Sequence, residues 1–585
     1  MPRSHLPENW KKILALLDVA FQPILNIHTG RIFAVESLLR NFKEAGFDSI
    51  FAVFDTAYKE GVLYSFDLAL REKTFTKFTQ ISDYKSIKLF YNLDNRLFEM
   101  PDFSSGNTKD ILENLDIKKE NICFEISERY EIDSTSDLEK ILNHYQSENF
   151  CIAIDDFGAG YSGYKLLYDS TPNLIKIDRF FLHNIQKDIK KQLMLRSITN
   201  LAILMGIQVI AEGVETKAEL LMCKDIGCHL VQGYFIQRPT QKTQEIGKEY
   251  QNIIEALKSS KRNQNSAAKI EYHLEKLEPI YKKDDMNRVI AYFRQNRGTE
   301  VVPVLNSKNE PLGILYERDI KEYTYSPYGI SILLNKTTEN SKLKNFIIKA
   351  PIIDIHSDIN LIIELYTNNP QSAGIIVTSN SLYLGFLSAR AILNIVNEEN
   401  LMTARDQNPL TKLPGNRIIE NYMADVSLKS RAYLLCYFDL DNFKAYNDIY
   451  GFRNGDRVIQ LFADILRTTL PAHFFKAHIG GDDFFVGKDI ENEELLCLHF
   501  IEEVISNFCT HALEFYSKED QERGYIVAKD REGALKQFPM LSVSASVILT
   551  KEGKSYTTNT LNEVLSLQKK VAKAEPSHIA ISALI

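Results

Sequence analysis

Seven cysteines are spread over 585 residues, and no CxxC pair occurs among them. The closest two, Cys223 and Cys228, are spaced for no zinc knuckle. Reduced thiols in a cytoplasmic protein are the expectation. Positive charge is not in excess either. Lysine and arginine number 69 against 77 acidic residues, a formal net charge of −8. That balance gives no reason to expect nucleic acid or an acidic membrane surface as a partner. Long hydrophobic runs are missing too. The most apolar stretch, "LAILMGIQVIAEGV", is interrupted by glycines, Gln208 and Glu212. It falls short of the ~20 apolar residues of a transmembrane segment. The N-terminal "MPRSHLPENWKKILALLDVAFQPI" has neither a long apolar core nor a small-residue cleavage site.

What is present is ordinary globular composition, 44% hydrophobic and 25% charged, in a chain too long for one core. Three or four domains are expected. From about residue 10 to 250, short runs rich in Ile, Val and Phe ("IKLFYNL", "ICFEIS", "FCIAIDD", "LIKID", "IQVIAEGV") alternate with segments of helical periodicity. That alternation implies a parallel sheet, plausibly a closed barrel. A polar linker, "LKSSKRNQNSAAKIEYH", follows. Two similar units begin at Val301 and Ser372. Each has a strand, a polar turn, a strand with Leu-Gly, then a helix: an internal repeat of roughly 70 residues. The last segment, from about 400, contains "AYLLCYFDLDNFKAYND", a buried strand that ends in acidic residues.

Polar groups mark the strand ends of the first segment: Glu36, Asn92, Glu125 and Glu128, Asp155 and Asp156, Lys176 and Asp178, Glu212 and Glu215, Gln232 and Tyr234. In an α/β barrel the strand C-termini share one face, where active sites are built. Carboxylates gathered there without partners would be costly. Oxygen-preferring divalent cations remove that cost, and an Asn carbonyl adds a neutral ligand. Asp155 is suited to bridging two metals and Asp156 to holding the second, an arrangement able to activate water against a phosphodiester. Lys176 is suited to orienting the water or neutralising charge, and Glu212 to accepting its proton.

The segment resembles the EAL family of cyclic di-GMP phosphodiesterases. The matching motifs are "FQPI", "ESLLR", "YNL", "FEISE", "DDFGAGYSG", "IKID", "AEGVET" and "QGYFIQRP", in the family's order. The resemblance implies an EAL-type (β/α)8 barrel over residues 1–255. It implies Mg²⁺ or Mn²⁺ on Glu36, Asn92, Glu125, Asp155 and Asp156, with Glu212 as base or water-mediated ligand. Glu128 matches the residue that holds the loop after Asp156. Gln22 and Arg40 match substrate contacts, with Asp178 and Gln232 beside them. Ser37 stands where the family usually has Ala.

Residues 401–585 carry "NPLTKLPGNR", "YFDLDNFKAYNDIYGFRNGD" and "IGGDDF", which resemble the GGDEF family of diguanylate cyclases, an α/β fold. The resemblance implies metal carboxylates at Asp439 and Asp482, guanine readers at Asn447 and Asp456, and phosphate contacts at Lys444, Lys570, Gly480 and Gly481. It also departs from the pattern. The signature Glu is Asp483, the usual basic residue is His478, and Pro471 and Phe474 replace the inhibitory Arg-x-x-Asp. An insertion interrupts the domain around "YSKEDQERGYIVAKDREGALKQF". A carboxylate displaced by ~1 Å can cost about a hundredfold in rate. GTP binding without diguanylate cyclase turnover is therefore expected. The central repeat, residues 256–400 with its linker helix, resembles a CBS pair, an α/β regulatory module that often takes a nucleotide. Its ribose-binding pairs appear only as Tyr316 with Asp319 and Ser388 with Ala391. The expectation for the chain is a cytoplasmic, homodimeric phosphodiesterase hydrolysing cyclic di-GMP to linear pGpG, regulated by the other two domains. The alternatives are a non-catalytic cyclic di-GMP receptor and a bifunctional cyclase/phosphodiesterase.

Overall fold

Short, near-continuous apolar runs buried on both faces build eight strands: β1 (Asp18–Asn26), β2 (Ile32–Arg40), β3 (Lys88–Asn92), β4 (Ile122–Ser127), β5 (Cys151–Phe157), β6 (Leu174–Ile177), β7 (Gln208–Glu212) and β8 (Leu230–Gln232). In the computed structural model they close into a barrel in chain order. The structure describes residues 6–104, 106–127, 145, 148, 150–158, 167–168, 172–258, 263–326, 328–334, 343–369, 372–428, 431–490, 494–529, 533–554 and 556–584. The chain divides into two units, Met1–Val396 and Asn397–Ile585.

The barrel departs from a regular (β/α)8 in one strand. From β2 to β8 each strand is parallel to the next, but β1 is antiparallel to both β2 and β8. The cause is local. Only the turn around His28, Thr29 and Gly30 joins β1 to β2, with Gly30 at φ +70°. A parallel crossover needs a dozen residues or more. The expectation that every strand delivers its C-terminus to one face therefore fails for β1.

Inside the barrel lies an apolar layer with one residue from each strand: Ile24, Ala34, Phe90, Cys123, Ala153, Leu174, Ile210 and Leu230. The helices pack outside. A buried ion pair ties the helix Leu63–Phe78 to the wall. Arg71 Nε lies 2.6 Å from Asp67, with both side chains enclosed, and Tyr91 donates to Asp67 at 2.9 Å.

The central repeat forms two three-stranded sheets. The first is β9 (Ile280–Tyr281), β10 (Val301–Leu305) and β11 (Pro311–Tyr316). The second is β12 (Ile352–Asp354), β13 (Gly374–Ser379) and β14 (Leu382–Ser388). Each has a parallel pair and then a hairpin. The Leu-Gly signature has a packing reason. A Cβ on Gly313 would meet Ile348 O at 2.3 Å, and one on Gly385 would meet Glu275 O at 2.9 Å. Those approaches are the bridges Ile314–Ile348 and Glu275–Phe386. The stretch before each unit thus pairs onto the other unit's last strand. This pair of sheets sits against the barrel floor. His229 Nε2 lies 2.9 Å from Ile352 O, Lys88 pairs with Glu310 at 2.7 Å, and Ile203 joins the core of the second sheet.

The second unit has a five-stranded sheet made of β15 (Tyr433–Asp441), β16 (Phe475–Gly480), β17 (Asp483–Asp489), β20 (Ser542–Leu549) and β21 (Ile579–Ala583), in the order β16-β17-β15-β20-β21. The segment read as an insertion has secondary structure of its own among its described residues. It holds a helix, Lys518–Arg523, and a two-stranded sheet of β18 (Tyr525–Lys529) and β19 (Leu535–Pro539).

Candidate functional site

Two residues along each strand from the apolar layer, the same inward face turns polar. Gln22, Glu36, Asn92, Glu125, Asp155, Lys176, Glu212 and Gln232 form a second ring of eight. A strand's side chains alternate faces, so each ring inherits its direction from the one below. On β1 the step runs backwards, from Ile24 to Gln22, because that strand is reversed. Its register sets Gln22 opposite Glu36.

Lys176 is the centre of this ring. Its Nζ lies 2.9 Å from Glu125, 3.1 Å from Asp155, 3.2 Å from Glu36 and 3.4 Å from Glu212. Burial alone would lower the ammonium, but the four carboxylates hold it well above its usual value. One positive charge does not balance four negative ones. Burial and the neighbouring Glu36 push Glu125 well above the carboxylate range. Glu212 is 29% exposed at the mouth, yet its Oε2 is enclosed, and burial pushes the group up to about 8. Glu36 is further held by Gln232 Nε2 at 2.5 Å and Asn92 Nδ2 at 3.3 Å.

The adjacent aspartates are explained by a bulge. Between β5 and β6 the register steps from Ile154–Ile175 to Phe157–Ile177, so β5 carries one extra residue. Asp156 absorbs it at φ +53°, a conformation that Asp tolerates better than most residues. Asp156 also adds to the upward push on Glu212, after burial and Asp155.

These groups fit a cation. Oxygens of Glu36, Glu125 and Asp155 lie within 4.8 Å of one another. Glu125 Oε2 is enclosed without a hydrogen-bond partner among the described residues. An all-oxygen donor set suits hard divalent ions.

The remaining expected residues lie in the ring or on its strands and the loops that follow them. Gln22 accepts from Gln232 at 3.3 Å and donates to Gln237 O at 3.2 Å. Arg40 is half-buried, lowered by that burial and raised by Glu36 and Tyr234. Asp178 caps the short helix Arg179–Leu182 through Phe180 N at 2.7 Å. Glu128 lies outside the described residues.

In the second unit, Asp439 is clamped by Lys569 and Lys573, one on each oxygen, and Lys569 also reaches Asp483 at 2.9 Å. These lysines hold Asp439 below its usual value against the effect of burial. Lys570, the expected contact, is exposed one position along the helix Thr558–Ala574. Lys569 continues the buried Leu561–Leu565 stripe at spacing four, which turns it towards the carboxylates. Gly480 and Gly481 make the β16–β17 turn, Gly481 at φ +61°. Asp482 lies in it, raised by burial. His478 is buried and stacks on Phe484 at 4.2 Å, with its ring nitrogens on Thr411 and Gly481 O. Burial lowers it, so it is a packing residue here. Asn447 Oδ1 is enclosed without a hydrogen-bond partner among the described residues and abuts Gly455, while Asp456 and Lys444 are exposed.

A closed barrel with one reversed strand and a carboxylate ring at its mouth is the class that this geometry defines. Residues 14–239 match the family model of the EAL domain, and residues 405–523 that of the diguanylate cyclase GGDEF domain. The chain is 29% identical over 224 residues to the probable cyclic di-GMP phosphodiesterase PdeG of Escherichia coli K12, covering 37% of this chain and 44% of that protein. It is 28% identical over 227 residues to the cyclic di-GMP phosphodiesterase PA2567 of Pseudomonas aeruginosa, covering 38% of each. The chain thus spans less than half the length of these relatives. A standalone EAL protein of Vibrio cholerae, solved with cyclic di-GMP bound, aligns at 29% identity and TM-score 0.36, over 41% of this chain and 97% of that one. Among the described residues, no helix is long and apolar enough to cross a membrane.

Proposed function

We propose that the barrel is a metal-dependent phosphodiesterase that hydrolyses cyclic di-GMP to linear pGpG. The carrying observation is the polar ring, in which Glu36, Glu125 and Asp155 gather around one buried lysine. The matches to curated phosphodiesterases support the substrate. Glu36, Asn92, Glu125, Asp155 and Asp156 would hold Mg²⁺ or Mn²⁺. When bound, such ions lower the pKa of water and neutralise charge on a transferring phosphoryl group. The protein's own groups do the rest. Lys176 fixes the carboxylates in one arrangement. Glu212, at the mouth, accepts the proton of the attacking water. The water oxygen bonds to phosphorus, the P–O3′ bond breaks, and O3′ leaves, taking its proton from bulk water. Gln22 and Arg40 orient the substrate, Arg40 through the fork geometry that suits phosphate.

In this reading the chain has three parts, residues 1–255, 256–400 and 401–585, and works as a homodimer. The exchanged pairing in the central repeat supports a CBS pair that regulates the barrel. The last part binds GTP without efficient cyclisation, because Lys569 and Lys573 occupy the Asp439 carboxylate. A non-catalytic receptor would have lost ligands from the ring, and every expected ligand residue is present in the sequence. Product analysis with labelled cyclic di-GMP and, separately, with labelled GTP tests the assignment. Appearance of pGpG, with no cyclic di-GMP made from GTP, is the expected result. Binding without any pGpG would favour the receptor reading.

A further inference from the structure

The helix Thr558–Ala574 lies across β15, β20 and β21 of the second unit. Its residues 561, 565, 569 and 573 recur at spacing four and share the side turned to the sheet. The first two are Leu561 and Leu565, buried in one core with Leu435, against which Tyr437 packs. The next two are Lys569 and Lys573. The sheet changes character at the same level. Side chains alternate along β15, so Leu435, Tyr437, Asp439 and Asp441 follow one another on one face. Two leucines meet the apolar half of that face and two lysines meet its acidic half.

The acidic half is engaged atom by atom. The strand register sets Asp483 opposite Asp439. Lys569 Nζ sits between them: it pairs with Asp439 Oδ2 and lies 2.9 Å from Asp483 Oδ1. It also lies 4.9 Å from the centroid of the Tyr437 ring. Lys573 pairs with Asp439 Oδ1 and lies 3.7 Å from Asp441. Asp441 Oδ2 accepts from Ser544 at 2.6 Å and Ser542 at 3.1 Å, with His578 Nδ1 at 3.4 Å.

By residue type these strand ends suit a divalent cation, and the resemblance to diguanylate cyclases implies one on Asp439 and Asp482. Their surroundings do not fit it. Mg²⁺ demands six oxygens in near-octahedral geometry. Both oxygens of Asp439 and one of Asp483 already face ammonium groups, compact point charges that repel an incoming ion. Among the described residues, the acids whose oxygens converge as a set of three within 4.8 Å are Glu36, Glu125 and Asp155, in the barrel. An ammonium has three donors, and Lys569 has three partners: two carboxylates and an aromatic ring, whose π-system also attracts a cation.

We propose that Lys569 is the resident cation of this end of the second unit: its ammonium holds the place between Asp439 and Asp483 and keeps a divalent cation out. The inference rests on the reading of residues 401–585 as a domain that binds GTP without efficient cyclisation, and it gives that reading a cause. A bound triphosphate meets lysine at this end, where cyclisation would need a metal.

The experiment counts Mn²⁺ bound per full-length chain, by electron paramagnetic resonance of the free ion, with no nucleotide present. In the parent, Asp439→Asn should leave the count unchanged. Lys569→Met should raise it by one, and Lys569→Met/Asp439→Asn should return it to the parent value. Should Lys569→Met fold poorly, Lys569→Gln removes the same charge and should give the same gain. A lower count in Asp439→Asn than in the parent overturns the proposal, because the acidic end would then take metal with Lys569 in place. So does a count that neither Lys569 variant raises at millimolar Mn²⁺, because the lysine would not be what excludes the ion. Absence of GTP binding in calorimetry would sink the GTP reading alone and leave these counts unmoved.

Discussion

Lys176 and Glu125 meet at 2.9 Å with neither side chain exposed. Such a pair is held by geometry, because desolvation of both ions offsets much of their attraction. Removing one partner leaves a buried charge uncompensated. Lys176→Met in chelator should therefore lose about 3–5 kcal/mol of unfolding free energy. Mn²⁺ should restore part of it by taking over the lysine's electrostatic role. Denaturant titrations with and without Mn²⁺ check this. Equal stability of variant and parent in chelator would mean that the carboxylates are already protonated around a dispensable lysine.

Asp155→Asn should lower turnover of cyclic di-GMP by more than about a hundredfold, because alignment at the ring is lost. The fold should persist, since the residue sits in a bulge at a strand end. Retention of a tenth of wild-type turnover, with an unchanged melting curve, would remove Asp155 from the metal assignment. Ca²⁺ should inhibit in the same assay, as it prefers longer bonds and higher coordination numbers than Mg²⁺.

The buried pair of Asp67 and Arg71 gives a purely structural prediction. Arg71 also donates to Thr108 at 2.8 Å and lies 5.1 Å over the Phe124 ring. Asp67→Ala strands the guanidinium and should cost about 3–5 kcal/mol, measured by urea unfolding. Asp67→Leu/Arg71→Met removes both charges and should cost less than the single change. The reverse order would mean that packing of the Arg71 stem outweighs its charge.

Much of the mouth was legible in the sequence because strand periodicity is short. A polar residue two positions beyond a buried one shares its face whatever the rest of the fold does, so Glu36, Glu125, Asp155 and Glu212 could be collected without coordinates. The reversal of β1 was hidden because it depends on a three-residue turn, and strand composition does not encode direction. The Asp155–Asp156 bulge is a register event between two strands, which neither strand carries alone. The lysines on Asp439, Lys569 and Lys573, come from the helix Thr558–Ala574 more than a hundred residues away, so no local pattern pairs them with it. The docking of the repeat had no signature at all: Lys88 and Glu310 are far apart in the chain and meet only where the repeat sits against the barrel floor.

His28 predicts an acid limb for stability. Its ring is packed at the barrel floor, where burial lowers it to about 4 despite the opposing pull of Asp354. Lys224, His229 and His356 also face it and push the same way as burial. An unfolded histidine titrates near 6.5. The stability due to neutral His28 is complete above that value and is lost as pH falls through 6.5 towards 4. The loss at pH 5 is about 2 kcal/mol. His28→Gln should flatten this limb in urea titrations at pH 5 and 7.5. Because burial lowers His229 as well, the residual slope should fall again in the double variant. An unchanged slope in both variants would locate the acid sensitivity elsewhere.

The second unit separates binding from chemistry. Asn447, on the helix Phe443–Tyr450, keeps an enclosed Oδ1 without a hydrogen-bond partner among the described residues, which a guanine donor would satisfy. That helix is braced by the insertion: Tyr450 accepts from the Ser517 amide at 3.1 Å, and Tyr446 packs edge-on against Tyr516 at 5.1 Å. The chemistry end is different. Asp483 is one methylene shorter than glutamate, and Lys569 spans from it to Asp439. Binding energy from the base survives such a change, whereas transition-state alignment does not. GTP should therefore bind the full chain while little or no cyclic di-GMP forms. Asn447→Ala should weaken GTP by about tenfold or more, because a buried polar contact to the base is lost. Lys570→Ala should have less effect than Lys569→Ala, since only Lys569 reaches the carboxylates. Calorimetry with GTP beside a cyclase assay on the same material reads all of these. Robust turnover would show that Asp483 suffices for cyclisation. GTP binding that is indifferent to Asn447→Ala would move the guanine pocket away from this helix.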